Sequence, residues 1–269
     1  MHKIHAAGTI RKELHLLTTI DEWHRFAPPK RDIHWKDGRS AKENARAWIA
    51  AAPNFQPDVA QALENCPDFG PLRFWRAEPE VRIFIDRHRG EHPNIDLFLV
   101  AEDDHGLMVI AIEAKADETF GDTLADRRRH AEAALASNPR SKALIRLEEL
   151  VDRYGLDFQH PHVPRLRYQL LTATAAVLEQ AKLRSSKRAV LIAHEFVTPL
   201  TDPAKRERNA ADLDHFLSTA FGFGGQLTPG GLAGPFQIES ALNLYVGKVR
   251  TVAWNEQEAS NGTINIPGS

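Results

Sequence analysis

The chain has 269 residues, 42% of them hydrophobic and 26% charged, and a formal net charge of -2. Such a composition supports a packed core and excludes a disordered chain, and the near-neutral balance excludes attachment to nucleic acid by bulk charge alone. No apolar run exceeds six residues, the length of Leu107 to Ile112, against the roughly 20 that span a bilayer, so no membrane association is expected. Met1 to His5 carry no apolar signal segment and the single Cys66 cannot form an internal disulfide, which reads as a cytoplasmic protein.

The small net charge hides a strong segmental pattern. Residues 1–50 carry net +4, residues 51–126 net -10, residues 127–208 net +7 and residues 209–269 net -3. An acidic middle between basic flanks suits a metal-dependent nuclease, with carboxylates for cations and Arg or Lys for phosphates. A surface whose charge simply fluctuates along the chain gives the same counts.

In chain order, Thr19-Ile-Asp-Glu22 is a capping-box pattern that opens a short helix ending at Pro28-Pro29. Ser40-Ala-Lys-Glu43 is a second such pattern, followed by Ala41, Ala45, Trp48, Ile49 and Ala52 at helical spacing. Asp58-Val-Ala-Gln61 opens a third helix. From Val81 the period changes to two, through Ile83 and Ile85. Strands over 95–101 and 107–114, separated by a turn at Glu102 to Gly106, complete a three-stranded meander. Helices are predicted over 124–136, 141–154 and 165–183, with Pro139 between the first two. A buried strand follows over 189–197, then a helix capped by Asn209. The six glycines of residues 222–235 lack the strand–loop–helix context of a phosphate cradle and read as a loop. A last strand covers 242–252. The pattern predicts one α/β domain over 1–254, a mixed sheet flanked by helices with an N-terminal helical extension, and a flexible tail over 255–269.

A turn centred near residues 104 and 105 sets Asp96 opposite Glu113 across an antiparallel hairpin. Opposed side chains on one face lie roughly 4.5–5.5 Å apart at Cβ, close enough to share a divalent cation. Alternation places Lys115 on the same face as Glu113 and turns Ala114 away. Two carboxylates from adjacent strands thus form a hard-metal site with an ammonium beside it. Histidine offers no rival: His160-Pro-His162 sits in a proline-broken loop, His194-Glu195 in a buried strand, and neither belongs to a set of zinc spacings.

An Asp opening one strand, here within Pro93-Asn-Ile-Asp96, followed by Glu113-Ala-Lys115 closing the next, resembles the PD-(D/E)XK nuclease superfamily with its restriction-endonuclease-like fold. Gly38-Arg-Ser-Ala-Lys-Glu43, Glu113 to Gly121 and Arg167-Tyr-Gln-Leu-Leu-Thr172 are similar to sequence blocks of an uncharacterised bacterial family in that group. Together these cover about 38–252.

The resemblance implies a Mg²⁺- or Mn²⁺-dependent hydrolase of nucleic-acid phosphodiesters, with DNA as the first choice. Asp96, Glu113, Lys115 and Gln169 are its expected catalytic residues, with Asp96 and Glu113 as metal ligands. A further acidic ligand is expected near the first strand: Glu80 is the first choice, Glu43 the second, and Glu118 an additional candidate. Gln169 resembles the helical Gln of RecB-like nucleases, although the Tyr that should follow it is replaced by a preceding Tyr168. Arg127, Arg128, Arg129, Arg165 and Arg167 are candidates for phosphate contact, against the reading of a solvated helix face. The alternative function is a non-catalytic nucleic-acid-binding or scaffold protein that keeps the nuclease fold. A homodimer is compatible with cutting two strands.

Overall fold

A computed structural model of the protein describes residues 7–239 and 241–252. The N-terminal part gives β1 (Thr9–Lys12), β2 (His15–Leu16), α1 (Ile20–Phe26), α2 (Ser40–Ala51) and α3 (Pro57–Glu64). The meander follows as β3 (Phe74–Arg82), β4 (Asn94–Asp103) and β5 (Gly106–Lys115). Then come α4 (Leu124–Ser137), α5 (Ala143–Asp152), α6 (Tyr168–Leu183), β6 (Arg188–Val197), α7 (Pro203–Phe221), β7 (Gly231–Glu239) and β8 (Leu242–Val252). The strands form one eight-stranded sheet in the order β2-β1-β3-β4-β5-β6-β8-β7. β5, β6 and β8 run parallel, while β3, β4 and β5 alternate. The fold is α/β with a mixed sheet between helical layers.

Two apolar cores lie on opposite faces of that sheet. Leu97, Leu99, Ile110, Ile112, Val190 and Ile192 pack with Trp23, Trp48, Val59 and Leu63 of α1 to α3. Val109, Ala111, Ala189, Leu191 and Ala193 pack with Leu124, Leu150, Leu170, Val177 and Phe216 of α4 to α7. Period-two alternation on β5 and β6 sends one set of side chains to each core. No helix among the described residues is long and apolar enough to cross a membrane.

Several boundaries differ from expectation for local reasons. The capping box at Thr19 forms, with Thr19 Oγ1 accepting the Glu22 N–H at 3.1 Å. The one expected at Ser40 does not: Arg39 is the cap residue of α2, without a side-chain cap. α3 is capped by Gln56, whose side chain accepts the Val59 N–H at 2.8 Å, and Pro57 supplies its first turn. α7 starts at Pro203 under an Asp202 cap, so Asn209 lies inside the helix and donates instead to the Glu118 carbonyl at 2.8 Å. α6 starts at Tyr168, after a 3-10 turn at Val163–Arg165. The glycine-rich stretch is only partly loop. Gly222 ends α7 with φ 67°, and Gly231 already opens β7, which pairs with β8. β1 and β2 are additions to the expected elements. The expected tail lies outside the described residues.

The β4–β5 hairpin pairs Asp103 with Gly106 around a two-residue tip. Asp103 accepts the N–H groups of Gly70 and His105 and is gripped through both carboxylate oxygens by Arg188 at the start of β6. Arg188 also donates to the carbonyls of Asp68, at 2.9 Å, and Gly106, at 2.6 Å. Burial alone would raise the Asp103 pKa, yet Arg188 and the two backbone donors hold it below its ordinary value. Arg188→Ala leaves that carboxylate buried without its cation and is expected to cost about 3–5 kcal/mol of stability, measured as a fall in the urea midpoint. An unchanged midpoint would show that the pair is dispensable.

Candidate active site

The site lies where β3, β4 and β5 run side by side. The register pairs Leu97 with Ile112, which sets Asp96 opposite Glu113 one step on. It pairs Pro79 with Leu97 and Val81 with Ile95, which sets Glu80 opposite Asp96. Three carboxylates therefore occupy one row across three adjacent strands. Glu80 lies within β3 rather than before it, and takes the left-handed φ of 51°. That conformation costs roughly 1–3 kcal/mol for a residue with a side chain. Its effect shows in the packing: Trp75 and Ala77 join the core under α1 to α3, while Val81, Ile83 and Ile85 join the opposite one. Lys12 on β1 pins this crossover, donating to the carbonyls of Pro79 at 2.9 Å and Glu80 at 2.8 Å.

Asp96 is half-buried and accepts the Ala114 N–H through Oδ2 at 2.8 Å. Glu113 is 1% exposed and accepts the Gln169 side-chain amide through Oε2. Lys115 is 6% exposed; its Nζ stands 3.7 Å from Glu113 Oε2 and donates to the Ala114 carbonyl at 3.0 Å. The Phe120 ring lies under the ammonium at 5.2 Å. Gln169 sits in the first turn of α6, which packs on β5 and β6. The structure thus brings Asp96, Glu113, Lys115 and Gln169 together from two strands and a helix, and sets Glu80 beside them with its carboxylate accepting the Asn94 amide.

The other candidates are engaged elsewhere. Glu43 belongs to α2, in the layer across the sheet from α6, and its carboxylate accepts the Gly38 N–H at 2.8 Å and pairs with Arg46 at 2.9 Å. Glu118 binds the N–H groups of Ala116 and Asp117 through one oxygen and that of Ser40 through the other, and acts on Asp96 only as a nearby charge. Arg127 stacks on Tyr168, the neighbour of Gln169, at 4.4 Å. Arg128 pairs with Glu132, and Arg129 with Asp126. Arg167 braces the fold, donating to Asp212 at 2.8 Å and the Gly121 carbonyl at 2.7 Å. Arg165 is exposed.

Three charged residues beyond the sequence expectation continue the site along the sheet. Glu195 on β6 pairs in register with Lys115 on one side and Arg250 on the other, and Lys248 follows Ala193 and Glu113 in the row before. The signal was present: Glu195 and Lys248 are charges inside otherwise apolar strands. Only the strand order, which inserts β8 beside β6, shows that they flank Lys115.

Burial and mutual repulsion dominate the electrostatics. Burial, then the Asp96 carboxylate, pushes Glu80 up to about 8. Glu113 is raised well above the ordinary range by burial and by Asp96, against the pull of Lys115. Asp96 is raised by burial, opposed by Lys115 and the Ala114 N–H. At about 8, Glu80 keeps its proton at neutral pH. Among the described residues no three His, Cys, Asp or Glu side chains form a metal-holding group. Asp96 and Glu113 each make a hydrogen bond through one oxygen, and neither Oδ1 of Asp96 nor Oε1 of Glu113 does so among the described residues. That donor set fits Mg²⁺, which is commonly held by one or two carboxylates and otherwise keeps water or substrate oxygens.

Over residues 16–253 the sequence matches the profile described as Domain of unknown function (DUF6946), and the chain belongs to that family. No curated protein and no solved structure matches it.

The raised carboxylate values fix the sign of the pH dependence. The folded state retains protons that the unfolded chain releases above roughly pH 4.5, so this contribution is full below that point and is lost as pH rises through the folded values. Glu80→Gln removes the term at Glu80, whose folded value is about 8. Its melting temperature is expected to gain on the wild type as pH is raised from about 6 to about 9 without divalent cation. A melting difference that stays constant across that range would show that Glu80 is not proton-coupled to folding.

Proposed function

We propose that the protein is a Mg²⁺- or Mn²⁺-dependent nuclease of the PD-(D/E)XK, restriction-endonuclease-like kind, acting on nucleic-acid phosphodiesters with DNA as the first substrate to test. The observation that carries this reading is the pairing of a buried Glu113-x-Lys115 strand end with Asp96 directly across the hairpin. Like carboxylates opposed in this way destabilise a hairpin unless something positive comes between them. A divalent cation there would lower the pKa of a bound water and offset charge on the phosphoryl oxygens.

The protein's own groups divide the remaining work. Asp96, fixed by the Ala114 N–H, and Glu113, fixed by Gln169, present their second oxygens as ligands. Lys115 is held by a carbonyl and an aromatic ring, so its ammonium is fixed before the substrate arrives. A fixed charge of that kind can position the attacking water or stabilise the developing negative charge without reorganising. Gln169 keeps Glu113 oriented and so acts as a positioning residue.

Cleavage of a DNA substrate is expected to require Mg²⁺ or Mn²⁺ and to fall at least about 10²-fold in Asp96→Ala. Lys115→Ala should lower the single-turnover rate while metal affinity, read by calorimetry, holds or rises, because a nearby cation is removed. Activity that survives chelation, or that Asp96→Ala leaves intact, would sink the mechanism. Metal-independent binding with no cleavage would support the scaffold alternative instead.

Of the arginines, Arg127 is best placed for phosphate because Tyr168 links it to Gln169. Arg127→Ala is expected to reduce the slope of log affinity against log salt by about 0.9 for duplex DNA, the effect of one lost phosphate contact. Arg128→Ala and Arg129→Ala, held to Glu132 and Asp126 by closer ion pairs than the 3.7 Å contact of Arg127 with Asp122, should leave the slope in place. Equal slopes in wild type and Arg127→Ala would assign that residue to the helix surface.

A further inference from the structure

Lys248 is a buried cation with very little to bind. It is 5% exposed, its one ion pair, to Glu195 Oε1, is long at 3.7 Å, and it makes no side-chain hydrogen bond among the described residues. An ammonium carries three donors, and the long pair with Glu195 uses them only weakly. Glu195 itself is 6% exposed and binds Arg250 Nε and Nη2 through its other oxygen, Oε2, at 3.1 and 2.9 Å. One carboxylate thus holds two cations from β8, one of them loosely. Arg250 keeps about a third of its side chain accessible, and so gives this trio an opening to solvent.

The register puts the trio beside the candidate active site. Lys115, Glu195 and Arg250 form one row across β5, β6 and β8, and Glu113, Ala193 and Lys248 form the row before it. With strands about 4.8 Å apart, Lys248 stands about 10 Å from Glu113. Only the methyl group of Ala193 lies between them in that row.

We propose that Lys248 and Arg250 form a second phosphate-binding point, which the Glu195 carboxylate fills until a phosphate of the nucleic-acid backbone replaces it. The assignment of that phosphate to a nuclease substrate rests on the function proposed above. A carboxylate and a phosphate present similar oxygens to Arg and Lys, but phosphate offers more of them and more charge. Displacing Glu195 lets Lys248 exchange a 3.7 Å ion pair for acceptors at hydrogen-bond range.

The test is calorimetric titration of the full chain with inorganic phosphate at constant ionic strength, without divalent cation. Wild type should bind saturably. Glu195→Gln, which removes the competing charge, should bind about tenfold tighter, and Lys248→Met about tenfold weaker, the size of one charge-assisted hydrogen bond. Melting curves guard against misfolding: Glu195→Gln should melt lower than wild type without phosphate and recover when it is added. A purely structural ion pair gives a lower melting temperature with no recovery and no change in phosphate affinity, and that result overturns the proposal. So does the absence of saturable binding in wild type. Asp96→Asn separates this inference from the nuclease reading, because it should abolish cleavage and leave the phosphate titration unchanged. If no variant or wild type ever cleaves but Glu195→Gln still tightens phosphate, the anion point stands and the nuclease reading falls. If cleavage dies with Asp96→Asn while phosphate ignores residues 195 and 248, the anion point falls alone.

Discussion

The grip of Arg188 on Asp103 decides where Asp96, Glu113 and Lys115 stand. It closes the tip of the β4–β5 hairpin, joins that tip to the start of β6, and so fixes the register of three strands at once. Side chains alternate along a strand with a period of two. A slip of one residue would send Glu113 and Lys115 into the core under α1 to α3, and Ala114 toward α6. The apolar residues of β5 resist such a slip only weakly, since Met108 to Ile112 are buried on both faces. A polar lock at the far end of the hairpin supplies the specificity that a uniformly apolar strand lacks.

At the opposite end of the same strands the chain tolerates what a stable core avoids. Glu113 and Lys115 are buried less than one turn of strand from each other, Asp96 crowds them, and Glu80 adopts a backbone conformation that side chains resist. Each feature costs stability, and they coincide in one place. Strain and perturbed protonation gathered at a single spot are what make it the candidate functional site.

The local parts of this arrangement were legible in the sequence, and the non-local parts were not. Asp96, Glu113 and Lys115 follow from one hairpin, whose register needs only the position of its turn. The helix at Thr19 follows from a capping box four residues long. The sequence pattern sets Glu80 outside the strand, because a left-handed residue inside a strand breaks the alternation on which strand boundaries are read. Asn209 passed for a cap because Asp202-Pro203, the real start, lies a full turn and more upstream. Glycines at 231 and 234 concealed β7, whose strand character comes from pairing with β8. Lys248 and Arg250 gave no hint of their neighbours, since β8 reaches β6 by passing over β7 in the chain and no pattern of spacing encodes that step.

β3 has a consequence for how the molecule comes apart. Its first half belongs to one apolar core and its second half to the other, with the change made at Glu80. Neither helical layer can therefore open as an independent cooperative unit, because loosening one withdraws support from the strand that the other needs. The sheet binds the two layers into a single foldon, and partial opening is confined to the rim, at the short β1–β2 hairpin and the loop between α7 and β7. Asp96 and Glu113, on β4 and β5, are for that reason kept away from the rim, whereas Glu80 is tied through Lys12 to the β1–β2 hairpin.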